Sequence, residues 1–208
     1  MKNILCFGDS NTYGYKADGT GRFDFSVRYP GRLQLLLGEE YHVIEEGLPG
    51  RTTVFENRNS PYKSGLGHIV PCLQSTDSLA YVLVMLGTND CKTAYHASAE
   101  EIVHGLSKII GEIRRYAPAA EIIIISPIHL GNNTGKPGFD PEFDARALEL
   151  SKSLAVQYRK LAEITGCAFL DAAETARASP IDEEHLDEEG HKSLAEAVAA
   201  IIKAERKP

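Results

Sequence analysis

Basic residues are few and scattered. Lys and Arg number 22 against 29 Asp and Glu, a formal net charge of −7, and no basic stretch is longer than a pair such as Arg114-Arg115. A polyanion partner needs a concentrated positive footprint, so no nucleic-acid partner is expected. Cysteine is sparse too. Cys6, Cys72, Cys91 and Cys167 are far apart and form no C-x-x-C pair, which fits neither a disulfide framework nor a zinc ribbon. Buried free thiols of a reducing compartment are expected instead. Long apolar runs are missing: none approaches the roughly 18 residues of a membrane span. The run Ile4–Phe7 after Lys2 is too short for a signal sequence, and no small-residue cleavage site follows it. The expected location is therefore cytoplasmic, with no membrane partner. Internal repeats, low-complexity tracts and linkers are also lacking, so residues 1–208 read as one domain.

What remains is an ordinary globular composition, 43% hydrophobic and 25% charged over 208 residues, large enough for a full core. Short apolar runs at Ile4–Phe7, His42–Ile44, Tyr81–Leu86, Glu121–Ile125 and Ala168–Leu170 read as strands. "YVLVML" and "EIIIIS" are apolar almost without a break, the pattern of strands covered on both faces in a parallel sheet. Helical character falls between them at Tyr29–Leu37, Ser98–Tyr116, Pro141–Thr165 and Glu188–Lys203. In the second of these, Ile102, Leu106, Ile109, Ile110 and Ile113 mark one face. Ser98 and Glu101 have capping-box spacing, and Pro118 and Gly166 supply the stops of that helix and the next. Strand–helix alternation predicts an α/β fold with right-handed crossovers: a three-layer α/β/α sandwich around a five-stranded parallel sheet, flavodoxin-like. Ligands bind such sheets beyond the carboxyl ends of the strands. Asn11–Arg28 and Glu46–Ser78 read as two long loops leaving from that edge.

The residues at that edge are chemically loaded. After the first strand comes Gly8-Asp9-Ser10-Asn11, after the second "EGLPGRTT" over 46–53, and after the third Gly87-Thr88-Asn89-Asp90. Asp182-Glu183-Glu184-His185 precedes the last helix. Acyl transfer through serine requires a hydroxyl, a base to take its proton, an acid to orient the base, and donors for the developing oxyanion. Ser10, His185 and Asp182 can fill the first three roles. The Ser10 N–H, the Gly50 N–H and the Asn89 amide can fill the fourth, with glycine at 50 leaving room for substrate.

In their order along the chain, "GDSN", "GLPGRTT", "LGTND" and "DEEH" resemble the four blocks of the SGNH, or GDSL-type, hydrolases. Within that superfamily "ILCFGDSNTYGY", "IEEGLPGRTT" and "MLGTND" are most similar to bacterial arylesterases, including members that perform acyl transfer and perhydrolysis. The resemblance covers residues 4 to about 195. It implies a three-layer fold, a serine esterase acting on small carboxylic esters through an acyl-enzyme, and the site roles named above. It implies no metal or organic cofactor, and a homo-oligomer by analogy with the arylesterases. A carbohydrate acetylesterase with the same site is the alternative activity.

Rival readings were open for several residues. Asp9 and Asp90 suit backbone-holding roles better than proton transfer. Among seven histidines, His191 competes with His185 as base but lies inside the predicted helix. His129, after the fourth strand, is a candidate for lining the pocket, as are Tyr13, Tyr15, Arg51, Phe55, Ile128 and Tyr62. Acids directly beside His185 are expected to project elsewhere, and Asp187 to start the turn into the helix. A zinc site built on His185 and His191 lacks the four-residue spacing of H-E-x-x-H. The first loop does not fit a phosphate-binding G-x-x-x-x-G-K-[ST]. A non-catalytic binding module would not need nucleophile, base, acid and amide together.

Overall fold

The computed structural model describes residues 1–204. Five parallel strands form one sheet: β1 (Lys2–Gly8), β2 (Tyr41–Gly47), β3 (Leu79–Met85), β4 (Glu121–Ser126) and β5 (Ala168–Asp171), in the order β2-β1-β3-β4-β5. Alternation along β1 divides the core. Leu5 and Phe7 join Val82, Val84, Ile122 and Ile124 on one face; Ile4 and Cys6 join Tyr81, Leu83, Ile123 and Ile125 on the other. The first face is covered by α3 (Gly65–Gln74), α4 (Ala99–Tyr116) and α5 (Ala145–Thr165). The second carries α2 (Tyr29–Leu37), the short α6 (Ala172–Thr175) and α7 (Glu188–Ala204). The three-layer parallel fold expected from the sequence is the one observed.

Local signals account for most boundaries. Ser98 and Glu101 form the reciprocal capping box of α4, with Arg114 and Arg115 in its last turn where cations favour the dipole. Gly166 ends α5 in the left-handed region at φ 64°. α5 begins at Ala145 rather than Pro141, because Asp144 caps it by accepting from the Ala147 N–H at 2.9 Å. The segment 46–78 is not one loop: α3 lies within it. Gly65, Gly67 and Pro71 disguise this helix, since all three have poor helical propensity. Tertiary packing overrides them. Ile69 and Leu73, one turn apart, are buried in the core, and a side chain at 65 would run into Leu86 and the Thr52 carbonyl at 2.9 Å.

The strand order reverses between β1 and β3, the place where doubly wound sheets open a crevice. Gly8, the last residue of β1, pairs with Gly47 on one side and Met85 on the other. The first turn after β1, helix α1 (Ser10–Tyr13), packs over the end of β2 so closely that a Cβ on Gly47 would lie 2.1 Å from the Tyr13 nitrogen. Gly47→Ala must therefore displace Ser10 or strain the sheet edge. Overpacking of this kind typically costs about 1–3 kcal/mol, and urea unfolding of the variant should show a loss in that range. An unchanged midpoint would mean that the turn carrying Ser10 is not held against β2.

Candidate active site

Ser10 opens α1 directly at the end of β1. The Asp9 carboxylate accepts from the Asn11 N–H at 3.0 Å and so caps the turn, the backbone-holding role expected of it. Asn11 then reaches 175 residues along the chain: its side-chain oxygen accepts from the Leu186 N–H at 2.8 Å, and its amide donates to the Glu184 carbonyl at 3.4 Å. This latch brings the acidic loop to the serine. Inside the loop, one Asp182 oxygen accepts from the N–H groups of Glu184 and His185 at 3.0 Å each. The other lies 2.6 Å from His185 Nδ1, while His185 Nε2 is 2.9 Å from Ser10 Oγ. Serine, imidazole and carboxylate thus form one continuous chain, with Tyr15 against the imidazole at 4.7 Å between ring centroids.

The expected oxyanion donors converge on the same space. Gly50 is held at φ 81°, a conformation that disfavours any side chain. Asn89 begins a short 3-10 turn after β3, and its amide donates one hydrogen to the Arg51 carbonyl at 3.2 Å, leaving the other free. Asp90 faces away and accepts from the Thr53 N–H at 3.0 Å and from the Thr53 hydroxyl, tying the Gly50 loop to the Asn89 turn. Buried Arg51 donates to the carbonyls of Gly8 and Glu46 and stacks 4.2 Å from the Phe7 ring centroid. Ser10, Gly50, Asn89 and His185 line a cavity of about 240 Å³. A larger cavity of about 320 Å³ behind the acidic loop, lined by His129, Arg177 and Glu183, contains no hydroxyl–imidazole pair.

The model of the GDSL-like lipase/acylhydrolase family matches residues 6–193. The chain belongs to this family. Its solved structural relatives include the aryl esterase of M. smegmatis, with TM-score 0.91 and 31% identity over 98% of this chain and 99% of that one. A carbohydrate acetylesterase family member from Sinorhizobium meliloti has TM-score 0.91 and 36% identity over 98% of both chains. An acetylxylan esterase of Xylanibacter ruminicola is 25% identical across 96% of this chain; the match spans 43% of that relative's length. The α/β/α arrangement is that of the SGNH hydrolases among these relatives.

Within this family member the remaining expectations divide. His191, the rival base, is fully buried in α7 and accepts from the Tyr29 N–H at 3.2 Å, far too enclosed to meet a substrate. His129 lines the larger cavity, not the one at Ser10. Of the other pocket candidates Tyr15 lines the Ser10 cavity, whereas Tyr62 points to solvent, Phe55 packs on Tyr95, and Ile128 is buried in the core. All four cysteines are unpaired; Cys6 and Cys91 are buried, but Cys72 and Cys167 only half so. Among the described residues no three His, Cys, Asp or Glu side chains are placed to hold a metal ion, and no helix is long and apolar enough to cross a membrane. Sequence reasoning missed Lys92, Asp140 and above all Glu184, which the loop turns into the cavity. The left-handed Glu183 (φ 59°), whose carboxylate is held by the Asn133 N–H groups, redirects the chain so that its neighbour points inward. Nothing in the pattern "DEEH" announces a positive φ at a glutamate.

The electrostatics follow from burial and pairing. Burial alone would lower the His185 pKa, but the Asp182 hydrogen bond and the nearby charges of Glu184 and Asp182 outweigh it, and the net shift is upward from 6.5. Burial likewise opposes ionisation of Asp182, yet its hydrogen bonds hold it below 3.8. Burial pushes Glu184 and Asp90 up to about 7 and Asp9 to about 6, and drives His191 down to about 3. Because the fold favours the His185 imidazolium, that stabilisation is fully present below pH 6.5 and fades as pH rises through the higher folded value. Titration followed by NMR should place His185 above 6.5, with Asp182→Asn and Glu184→Gln each lowering the midpoint. A midpoint at or below 6.5 would contradict the pairing.

Proposed function

We propose that the protein is a serine esterase acting on small carboxylic esters. The observation that carries this reading is the unbroken chain from Ser10 Oγ through His185 to Asp182, at 2.9 and 2.6 Å, facing the three oxyanion donors. Family membership and the esterase relatives support it. In this mechanism Ser10 Oγ attacks the ester carbonyl carbon as His185 Nε2 takes its proton. Asp182 keeps the Nδ1 proton facing itself and stabilises the imidazolium. The Ser10 and Gly50 N–H groups and the free Asn89 hydrogen receive the oxyanion, where preorganised donors act most strongly. His185 protonates the departing alcohol, leaving Ser10 acylated. Water, or a second alcohol, then gives its proton to His185, attacks the acyl carbon and restores the serine.

Short acyl groups suit the cavity best, since Lys92, Asp140 and Glu184 on its walls offer no apolar trough for a long chain. The same polar walls favour a second reading, a carbohydrate acetylesterase, an activity that the Sinorhizobium meliloti relative's name also carries. A homo-oligomer remains part of this proposal by family resemblance.

A fluorophosphonate should label Ser10 and abolish turnover of 4-nitrophenyl acetate; labelling that persists in Ser10→Ala would remove Ser10 as nucleophile. Asn89→Ala should lower kcat by roughly 10²–10³ with little change in KM, because an oxyanion donor works mainly in the transition state. A change confined to KM would make Asn89 a substrate-binding amide. Since the base must be neutral, kcat/KM for the acetate should fall as pH drops, with its acid limb centred above 6.5 as the raised His185 value requires.

A further inference from the structure

Of the five carboxylates within three residues of His185, Glu188 is exposed at the start of α7, and the other four have separate employment. Asp182 faces Nδ1. Glu183 is bound to Asn133 behind the loop, and Asp187 accepts from the Gly190 N–H at 2.8 Å at the start of α7. Glu184 alone presents its carboxylate on the Nε2 side, with Oε1 3.8 Å from that nitrogen and only 10% of the side chain exposed. Among the described residues no protein donor hydrogen-bonds this carboxylate. Lys92 lines the same cavity, but its ammonium is committed to Glu142 at 2.5 Å. The carboxylate faces the cavity, so its acceptor capacity is met by whatever occupies that space, solvent in the free protein and a donor on the bound ester in the complex.

The chemistry places that donor. In the mechanism proposed above, on which this inference rests, Nε2 gives its proton to the oxygen of the departing alcohol. That oxygen must come within hydrogen-bond reach of Nε2, at roughly 3 Å. The carbon next to it on the alcohol then lies beside Glu184, not beside the oxyanion donors. We propose that Glu184 is a specificity-determining residue of the leaving-group subsite, accepting a hydrogen bond from a second hydroxyl on the alcohol half of the ester. The preferred substrates are then short acyl esters of polyols, sugars included. Because an incoming acyl acceptor occupies the leaving-group position in reverse, the same contact favours polyols over simple alcohols as acceptors: the acceptor hydroxyl loses its proton to His185, forms the new ester, and Ser10 regains a proton.

Three acetates and one glycolate test the assignment. 2-Hydroxyethyl acetate carries one hydroxyl more than ethyl acetate on the alcohol side, methyl glycolate carries its hydroxyl on the acyl side, and 2-(trimethylammonio)ethyl acetate replaces the hydroxyl by a cation. The readout is the ratio of kcat/KM for each to that for ethyl acetate, compared between wild type, Glu184→Leu and Glu184→Gln. Intrinsic differences in ester reactivity cancel in that comparison. Assayed above pH 8, where the Glu184 carboxyl raised to about 7 by burial is ionised, the ratio for 2-hydroxyethyl acetate should fall by about 10- to 100-fold in Glu184→Leu, the worth of a hydrogen bond to a charged group. It should fall less in Glu184→Gln, which keeps an acceptor oxygen. A ratio that is unchanged while all rates drop together would mean that Glu184 acts through His185, and would overturn the assignment. So would a loss confined to methyl glycolate or to the cationic ester. If Glu184→Leu fails to fold, the Glu184→Gln ratios decide alone. Absence of turnover on all four esters, together with an unlabelled Ser10, would sink the esterase reading and this assignment with it.

Discussion

The site depends on the parallel pairing of β1 with two neighbours at once. β1 is the strand at which the sheet turns outward in both directions, and its last residue is in register with the last residues of β2 and β3. Three loops must therefore leave the sheet at one point. None can shift alone, because a one-residue slip in a buried strand would turn its core side chains to the opposite face. Ser10, Gly50 and Asn89 inherit their convergence from that register. Their chemistry needs distances held within fractions of an ångström, and a closely packed sheet edge is among the few scaffolds rigid enough to hold them.

Buried polar groups then fix what the sheet only brings near. Asp90 grips Thr53, Arg51 spans the carbonyls of Gly8 and Glu46, and Asn11 clasps the acidic loop. Each is a polar side chain removed from water, tolerable because its hydrogen bonds are satisfied inside. Among the described residues four buried polar atoms lack a partner, one Asp9 oxygen, Arg51 Nε, Thr88 Oγ1 and His191 Nε2, and the first three belong to the loops that form the site. Local stability has been sacrificed where the serine is presented, as functional sites commonly require.

Much of this is legible in the sequence. The continuous apolar runs of β3 and β4 announced a covered parallel sheet, and Ser98, Glu101 and Gly166 announced helix ends through local chemistry alone. The roles expected at Ser10, Gly50, Asn89, Asp182 and His185 rested on four short blocks, and the structure brings Ser10, Gly50, Asn89 and His185 to one cavity with Asp182 on the far side of the imidazole. What stayed illegible has physical causes. α3 is built on glycines and a proline that only tertiary packing makes helical. Glu184 enters the cavity because of a left-handed residue before it, and Asp140 because α5 starts four residues late. Backbone twists set by distant contacts leave no periodic trace in a sequence.

The hydrogen bond between His185 and Ser10 joins positions 175 residues apart. Closing so long a loop is entropically expensive, though the expense grows only logarithmically with length. The Asn11–Leu186 and Tyr29–His191 hydrogen bonds and the packing of α2 against α7 bridge similar separations and hold this one. Reactivity at Ser10 is consequently a gauge of one long-range closure: the hydroxyl has its base only while residues 182–186 are seated against the serine turn, whatever the state of the rest of the sheet.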